Sequence, residues 1–143
     1  MHLLLAFAAG VIMAVQGSLN AALGKLIGLL EATFIVHVVG TGALVLSLFF
    51  FRLGQGDLGN LAKVPWYLYL GGLLSVSIIY AVLASIGHIG VATATTAIIV
   101  GQVGMALLID HFGFFGLGRH PFSWLKVAGM ALLALGARLM LMK

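Results

Sequence analysis

The groups in this chain that could do chemistry are few and mostly uncharged. Gln16 and Asn20 stand four residues apart. On a helix of 3.6 residues per turn they project from one face, together with Ala9 and Met13. Two amides side by side offer donors and acceptors at once, which suits a polar solute and equally suits a clamp to a neighbouring helix. Thr95 and Gln102 are seven apart and share a face, nearly opposite a stripe of small residues at Thr93, Ala97, Gly101 and Gly104. The small stripe permits close helix approach, whereas the Thr95/Gln102 face needs water, solute or a polar neighbour. Gln102 is therefore read two ways, as a cavity or substrate contact and as an interhelical hydrogen bond. Thr33, His37 and Thr41 lie one above another, and a histidine inside a membrane crossing can carry a proton or simply bond its neighbours. Tyr80 falls deep enough in its apolar stretch to line a cavity, unlike Trp66 and Tyr67, which stand where interfacial aromatics are expected.

The acids are three. Asp57 lies in the longest polar stretch and reads as solvated. Glu31 precedes an apolar run, where the positive end of a helix dipole stabilises a carboxylate. Asp110 closes an apolar run, the wrong end for the dipole, and is followed at once by His111. A latch to Arg119 or His120 in a folded loop, or a proton or cation site, would each account for it. Catalytic patterns are missing: there is no GxSxG, no HExxH, no phosphate loop and no carboxylate pair at useful spacing, so neither an enzyme, a metal site nor a bound cofactor is expected.

The elements that must position these residues are membrane helices. Of 143 residues, 63% are hydrophobic and 7% charged, with a mean hydropathy of +1.25. An ordinary soluble domain has about 25% charged residues, so a soluble globular enzyme is excluded. Apolar stretches of spanning length occur at 3–23, 33–51, 66–86, 91–109 and 122–141. At about 20 residues per crossing they fill the chain as a single transmembrane bundle, residues 1–143. The stretches LLLAFAAGVIMAV and ALVLSLFFF are apolar on every side, which a β-barrel strand would not be. Met1 and His2 supply no basic segment before the first run, so it reads as a permanent helix rather than a cleaved signal. The net charge of +4 is spread singly along the chain. No basic run could follow a phosphate backbone, so nucleic acid is not a partner and the lipid bilayer is. With no cysteine, thiol chemistry is absent.

Five crossings put the chain ends on opposite sides. Arg52, Lys63, Arg119 and Lys126 fall on the N-terminal side, and Lys25, Arg138 and Lys143 on the other. Four against three is almost no bias under the positive-inside rule. One reading is a single orientation fixed by other features. The other is insertion both ways up, which would let two copies pair antiparallel into an inverted repeat.

The segment GVATATTAIIVGQVGMALLIDHFGFFG, Gly90 to Gly116, resembles the fourth helix and following loop of the YdcZ-type proteins of the drug/metabolite transporter superfamily. The VPWYLYLGGLL start of the third span and the QGSLNAALGK run from Gln16 to Lys25 carry the same resemblance. It implies an all-helical half-unit of five spans, equivalent to half of a ten-helix transporter. Such a unit works as an antiparallel homodimer or beside a homologous half-unit in the inner membrane. The positions that match the family pattern are Gln16, Asn20, Gln102, Asp110 and His111. The implied activity is secondary active transport of a small drug or metabolite by alternating access at a dimer-lined cavity, with span five on the outside. Two other classes compete with it. A small antiparallel ion channel would need a continuous polar track, where this sequence offers a mid-depth cluster. A membrane scaffold would use Gln16, Asn20 and Gln102 as packing clamps alone.

Overall fold

Backbone amides and carbonyls cannot stay unpaired in hydrocarbon, and this chain meets that demand with helices. The computed structural model describes residues 1–142, and no strand occurs among them. Lys143, counted above with the basic residues, lies outside the described residues. The membrane helices are α1 (His2–Ile27), α2 (Leu29–Val45), α3 (Leu70–Ile89), α4 (Val91–Phe112) and α5 (Trp124–Leu141). A π turn, Leu46–Phe50, prolongs α2, and a 3₁₀ turn, Trp66–Tyr69, leads into α3. With these additions all five are long and apolar enough to cross a bilayer. At 1.5 Å per residue, 18 residues of α5 reach about 27 Å, close to the hydrocarbon thickness of about 30 Å.

The helices outrun the apolar stretches that announce them. α1 continues past Leu23 to Ile27 and keeps Lys25 in its last turn, where the dipole favours a cation. α2 begins at Leu29 rather than Thr33, with Glu31 in its first turn. α3 runs through Gly87 and His88 to Ile89, so the expected four-residue turn contracts to Gly90 alone. α4 passes Ile109 to end at Phe112, which brings Asp110 and His111 into its final turn. Span five starts later than Phe122: Ser123 caps α5, its hydroxyl accepting from the Lys126 amide at 3.3 Å. A charged residue ends an apolar run without ending the hydrogen-bond ladder, so composition places the core of each helix better than its tips.

Two breaks are single glycines. Gly28, between α1 and α2, has φ 102°, and Gly90, between α3 and α4, has φ 84°. Both angles are strained for any residue with a β-carbon. Gly28 donates its amide to the Gly24 carbonyl and accepts from the Ala32 amide, each at 3.0 Å, so it closes one helix and opens the next. The Glu31 carboxylate lies where a side chain at position 28 would go.

The chain divides into two compact units, Met1–His88 and a second beginning at Ile89. In the first, α1 packs along α2 and also buries Gly17, Asn20, Ala21 and Gly24, a face at helical spacing. Its partners on α3 are Val82, Leu83 and Ile86. A β-carbon at Gly24 would stand 3.4 Å from Leu83 Cδ2 and 3.1 Å from Leu29 Cδ2, so the helices meet almost backbone to side chain. Leu83 is 1% exposed at this contact. In the second unit α4 packs on α5, with Ala94 and Ala137 buried. Thr96 sends its hydroxyl to the Ala92 carbonyl at 2.8 Å and lies 3.6 Å from Met140 Sδ on α5.

The core is thus mostly small residues, with Leu83 and Ile86 as its large apolar side chains among the described residues, and most other large apolar side chains point outward. Only 6% to 11% of an apolar 18-residue stretch within each span is buried. In water such a surface would aggregate, whereas in a bilayer it is the ordinary lipid-facing surface, and close packing of small residues supplies the cohesion. Between α2 and α3 the chain forms a 3₁₀ turn, Leu58–Lys63, that Asp57 caps. The Asp57 carboxylate accepts from the Gly59 amide and the Asn60 side chain, both at 2.8 Å, so this acid is structural as well as solvated.

Candidate functional site

In the first unit, Gln16 and Asn20 occupy consecutive turns of α1 but differ in setting. Asn20 is 9% exposed, on the edge of the glycine-rich face turned to α3, whereas Gln16 is exposed near the middle of α1. Tyr80, on α3, is also exposed. In the second unit Thr95 is half-buried, and Gln102 is exposed near the middle of α4. Gln16 and Gln102 make no side-chain hydrogen bond among the described residues. An unpaired amide in hydrocarbon costs on the order of 2 kcal/mol or more, so both need water, solute or a second chain beside them.

His37 is the best-connected of the candidate residues. Because α2 begins at Leu29, it stands two turns inside the helix rather than one. Its Nδ1 is 2.8 Å from the Thr33 carbonyl, and its Nε2 is 3.1 Å from Ser75 Oγ on α3. Ser75 in turn donates to the Gly72 carbonyl at 2.7 Å. Thr33, 1% exposed, gives its hydroxyl to Leu29. His37 lines a groove of about 680 Å³ whose walls include Ile27, Leu30, Phe34 and Val76, with Glu31 and Thr33 as its other polar members.

Asp110 and His111 belong to a folded loop, held through the backbone of Asp110 rather than its carboxylate. The His120 amide donates to the Asp110 carbonyl at 2.7 Å, and Arg119 Nε donates to the His111 carbonyl at 2.9 Å. His111 Nδ1 accepts from the Phe122 amide at 3.2 Å, and the two rings stack with centroids 4.3 Å apart. Gly113, with φ 68°, turns the chain out of α4 so that this return is possible. Arg119 and His120 are the partners expected from the sequence, but they reach main-chain oxygens.

The small stripe of α4 divides. Gly104 faces α5, a β-carbon there meeting Met130 Cε at 3.4 Å, whereas a β-carbon on Gly101 would meet nothing within 4 Å among the described residues of neighbouring elements. Ala97 and Val100 line a groove of about 420 Å³ against Ala134, Ala137 and Arg138 of α5. The sequence reading missed two features. One is the Gly17/Ala21/Gly24 face, whose small-residue spacing was available as a signal. The other is Ser75 as the partner of His37, for which no local signal existed.

The chain of five apolar helices, two of whose four links are single glycines, matches a known family along almost its whole length. Residues 1–139 fit the model described as "Putative inner membrane exporter, YdcZ". The chain belongs to the YdcZ family. It is similar to the inner membrane protein YdcZ of Escherichia coli (strain K12), at 27% identity over 131 residues, covering 91% of this chain and 87% of that protein. No solved structure matches the chain. As a YdcZ-family member with five spanning helices, it is a multi-pass inner-membrane protein of a transport family.

Proposed function

We propose that the chain is a secondary active exporter of a small drug or metabolite, working by alternating access as an antiparallel dimer whose cavity is lined by spans one to four of both copies. The observation that carries this reading is the exposure of Gln16 and Gln102 near the middle of α1 and α4. Each presents an amide with no side-chain partner among the described residues, near the middle of a helix of spanning length. A second copy, inverted, would bring two more such amides to the same depth, and a solute entering between them would take the hydrogen bonds that lipid cannot give. Tyr80, Thr95 and Asn20 would add an aromatic face, a hydroxyl and a further amide. The four-to-three division of basic residues supports the inverted pairing, since it leaves insertion nearly unbiased. The family description supports the outward direction.

The deciding experiment is a charge-bias test. Two added Lys or Arg residues in the Arg52–Pro65 loop should force one orientation and abolish flux from the singly expressed variant. Co-expression with a variant biased the opposite way should restore it. A wild-type C-terminus found on one side of the membrane only would remove the homodimer and point to a paired half-unit. A conductance in place of saturable flux would make the protein a channel.

A further inference from the structure

The three contacts that His37 and Ser75 make outnumber the hydrogens that a neutral ring and the Ser75 hydroxyl supply together. The Thr33 carbonyl only accepts, so the nitrogen 2.8 Å from it, Nδ1, carries a hydrogen. The Ser75 hydroxyl has one hydrogen and two acceptors within reach, the Gly72 carbonyl at 2.7 Å and His37 Nε2 at 3.1 Å. With His37 neutral, that hydrogen serves one of them and the other contact is lost. With His37 protonated, Nε2–H donates to Ser75 Oγ, Ser75 donates to Gly72, and all three contacts are made at once.

We infer that His37, held between the Thr33 carbonyl and the Ser75 hydroxyl, is a proton-binding site whose loading pins α3 to α2, so that the proton is the ion exchanged for the exported solute. This rests on the transport reading above. The step balances simply. A proton from the aqueous phase bonds to Nε2, and the Ser75 hydroxyl hydrogen swings from Nε2 to the Gly72 carbonyl. Release reverses both movements, and the site changes between neutral and a single positive charge. Glu31, from α2, is the other titratable group of the groove. The described groove residues from α1 and α3, Ile27 and Val76, are apolar.

The pin matters because α3 has little else to hold it at that end. Toward its C-terminal end α3 rests on α1 through Val82, Leu83 and Ile86 against Gly17 and Gly24. Toward its N-terminal end, the His37–Ser75 bond is the side-chain hydrogen bond that ties it to another membrane helix among the described residues. A charge-assisted bond is roughly twice as strong as a neutral one, so loading tightens this end and unloading frees α3 to tilt about the glycine contact. That is the kind of two-state element through which a bound ion can drive alternating access.

The test uses the full chain with ¹⁵N-histidine in lipid nanodiscs, followed by NMR across pH 5 to 8, with His37→Gln to assign the signals. Two ring N–H signals should appear for His37 at the acid end and one, on Nδ1, at the other. Ser75→Ala should lower the protonated-to-neutral ratio at a given pH by roughly five- to tenfold, while His2, His88, His111 and His120 keep theirs. Ser75→Thr, which keeps the hydroxyl, should restore it. If Ser75→Ala does not fold, Ser75→Cys removes the good donor at similar size and gives the same comparison. A His37 that keeps one protonation state throughout, or a ratio indifferent to Ser75, overturns the site. The titration needs no flux. Proton binding as stated without solute movement would therefore count against the transport reading alone, and solute flux indifferent to a pH gradient would count against this site alone.

Discussion

A β-carbon on Gly17 of α1 would stand 2.9 Å from the Cδ1 methyl of Ile86 on α3. The same position would lie 3.3 Å from Val82 Cγ1, so the two helices approach as closely as a hydrogen side chain allows. Gly17→Ala should be nearly tolerated, because the far end of Ile86 can swing aside. Gly17→Leu should destabilise the protein by about 1–3 kcal/mol, since the branched Val82 cannot follow and the bilayer offers no relief. Thermal unfolding of the purified protein in detergent reads the difference. Ile86→Ala combined with Gly17→Leu should recover part of the loss if the clash is the cause.

On the proposed dimer, Gly101 tests a surface between chains rather than within one. Among the described residues nothing lies within 4 Å of a β-carbon placed there. Gly101→Leu should therefore leave helix content and monomer folding intact while shifting the protein toward monomer on size-exclusion chromatography. An unchanged dimer would mean that this side of α4 faces lipid.

Gln102→Leu and Gln16→Leu should each leave assembly and stability near wild type and lower flux steeply, by tenfold or more on the order of one lost solute hydrogen bond. The solute for the assay would come from a screen of metabolites and dyes for thermal stabilisation. Normal flux with lowered stability would instead assign both amides to clamps between helices.

Much of the fold is legible in the sequence because the bilayer permits so few solutions. Uninterrupted apolar length gives α1 to α5 directly, and the absence of alternation excludes strands. The tips are less legible: Lys25, Glu31 and Asp110 look like boundaries, yet each lies inside a helix, because hydrogen bonding along the backbone continues where hydropathy stops. The Thr33–His37 stacking follows from spacing by four. Its partner Ser75 lies 38 residues away on another helix, and no periodicity links the two. The loop after α4 shows the same limit. Its ionic residues suggest a side-chain pairing with Asp110, but Arg119 and the His120 amide bond to carbonyl oxygens that the sequence does not distinguish.

The single-residue break at Gly28 also bears on biogenesis. With one residue between them, α1 and α2 cannot be threaded into the bilayer as independent segments. The leading turn must travel as a helical hairpin, and the polar freight at its tip is little more than Lys25 and Glu31, of opposite sign. Moving such a tip across the membrane demands far less work than moving the Arg52–Pro65 stretch, so the orientation in which the hairpin leads is the easier one to insert, and the inverted copy of the proposed dimer has to carry that longer stretch across instead.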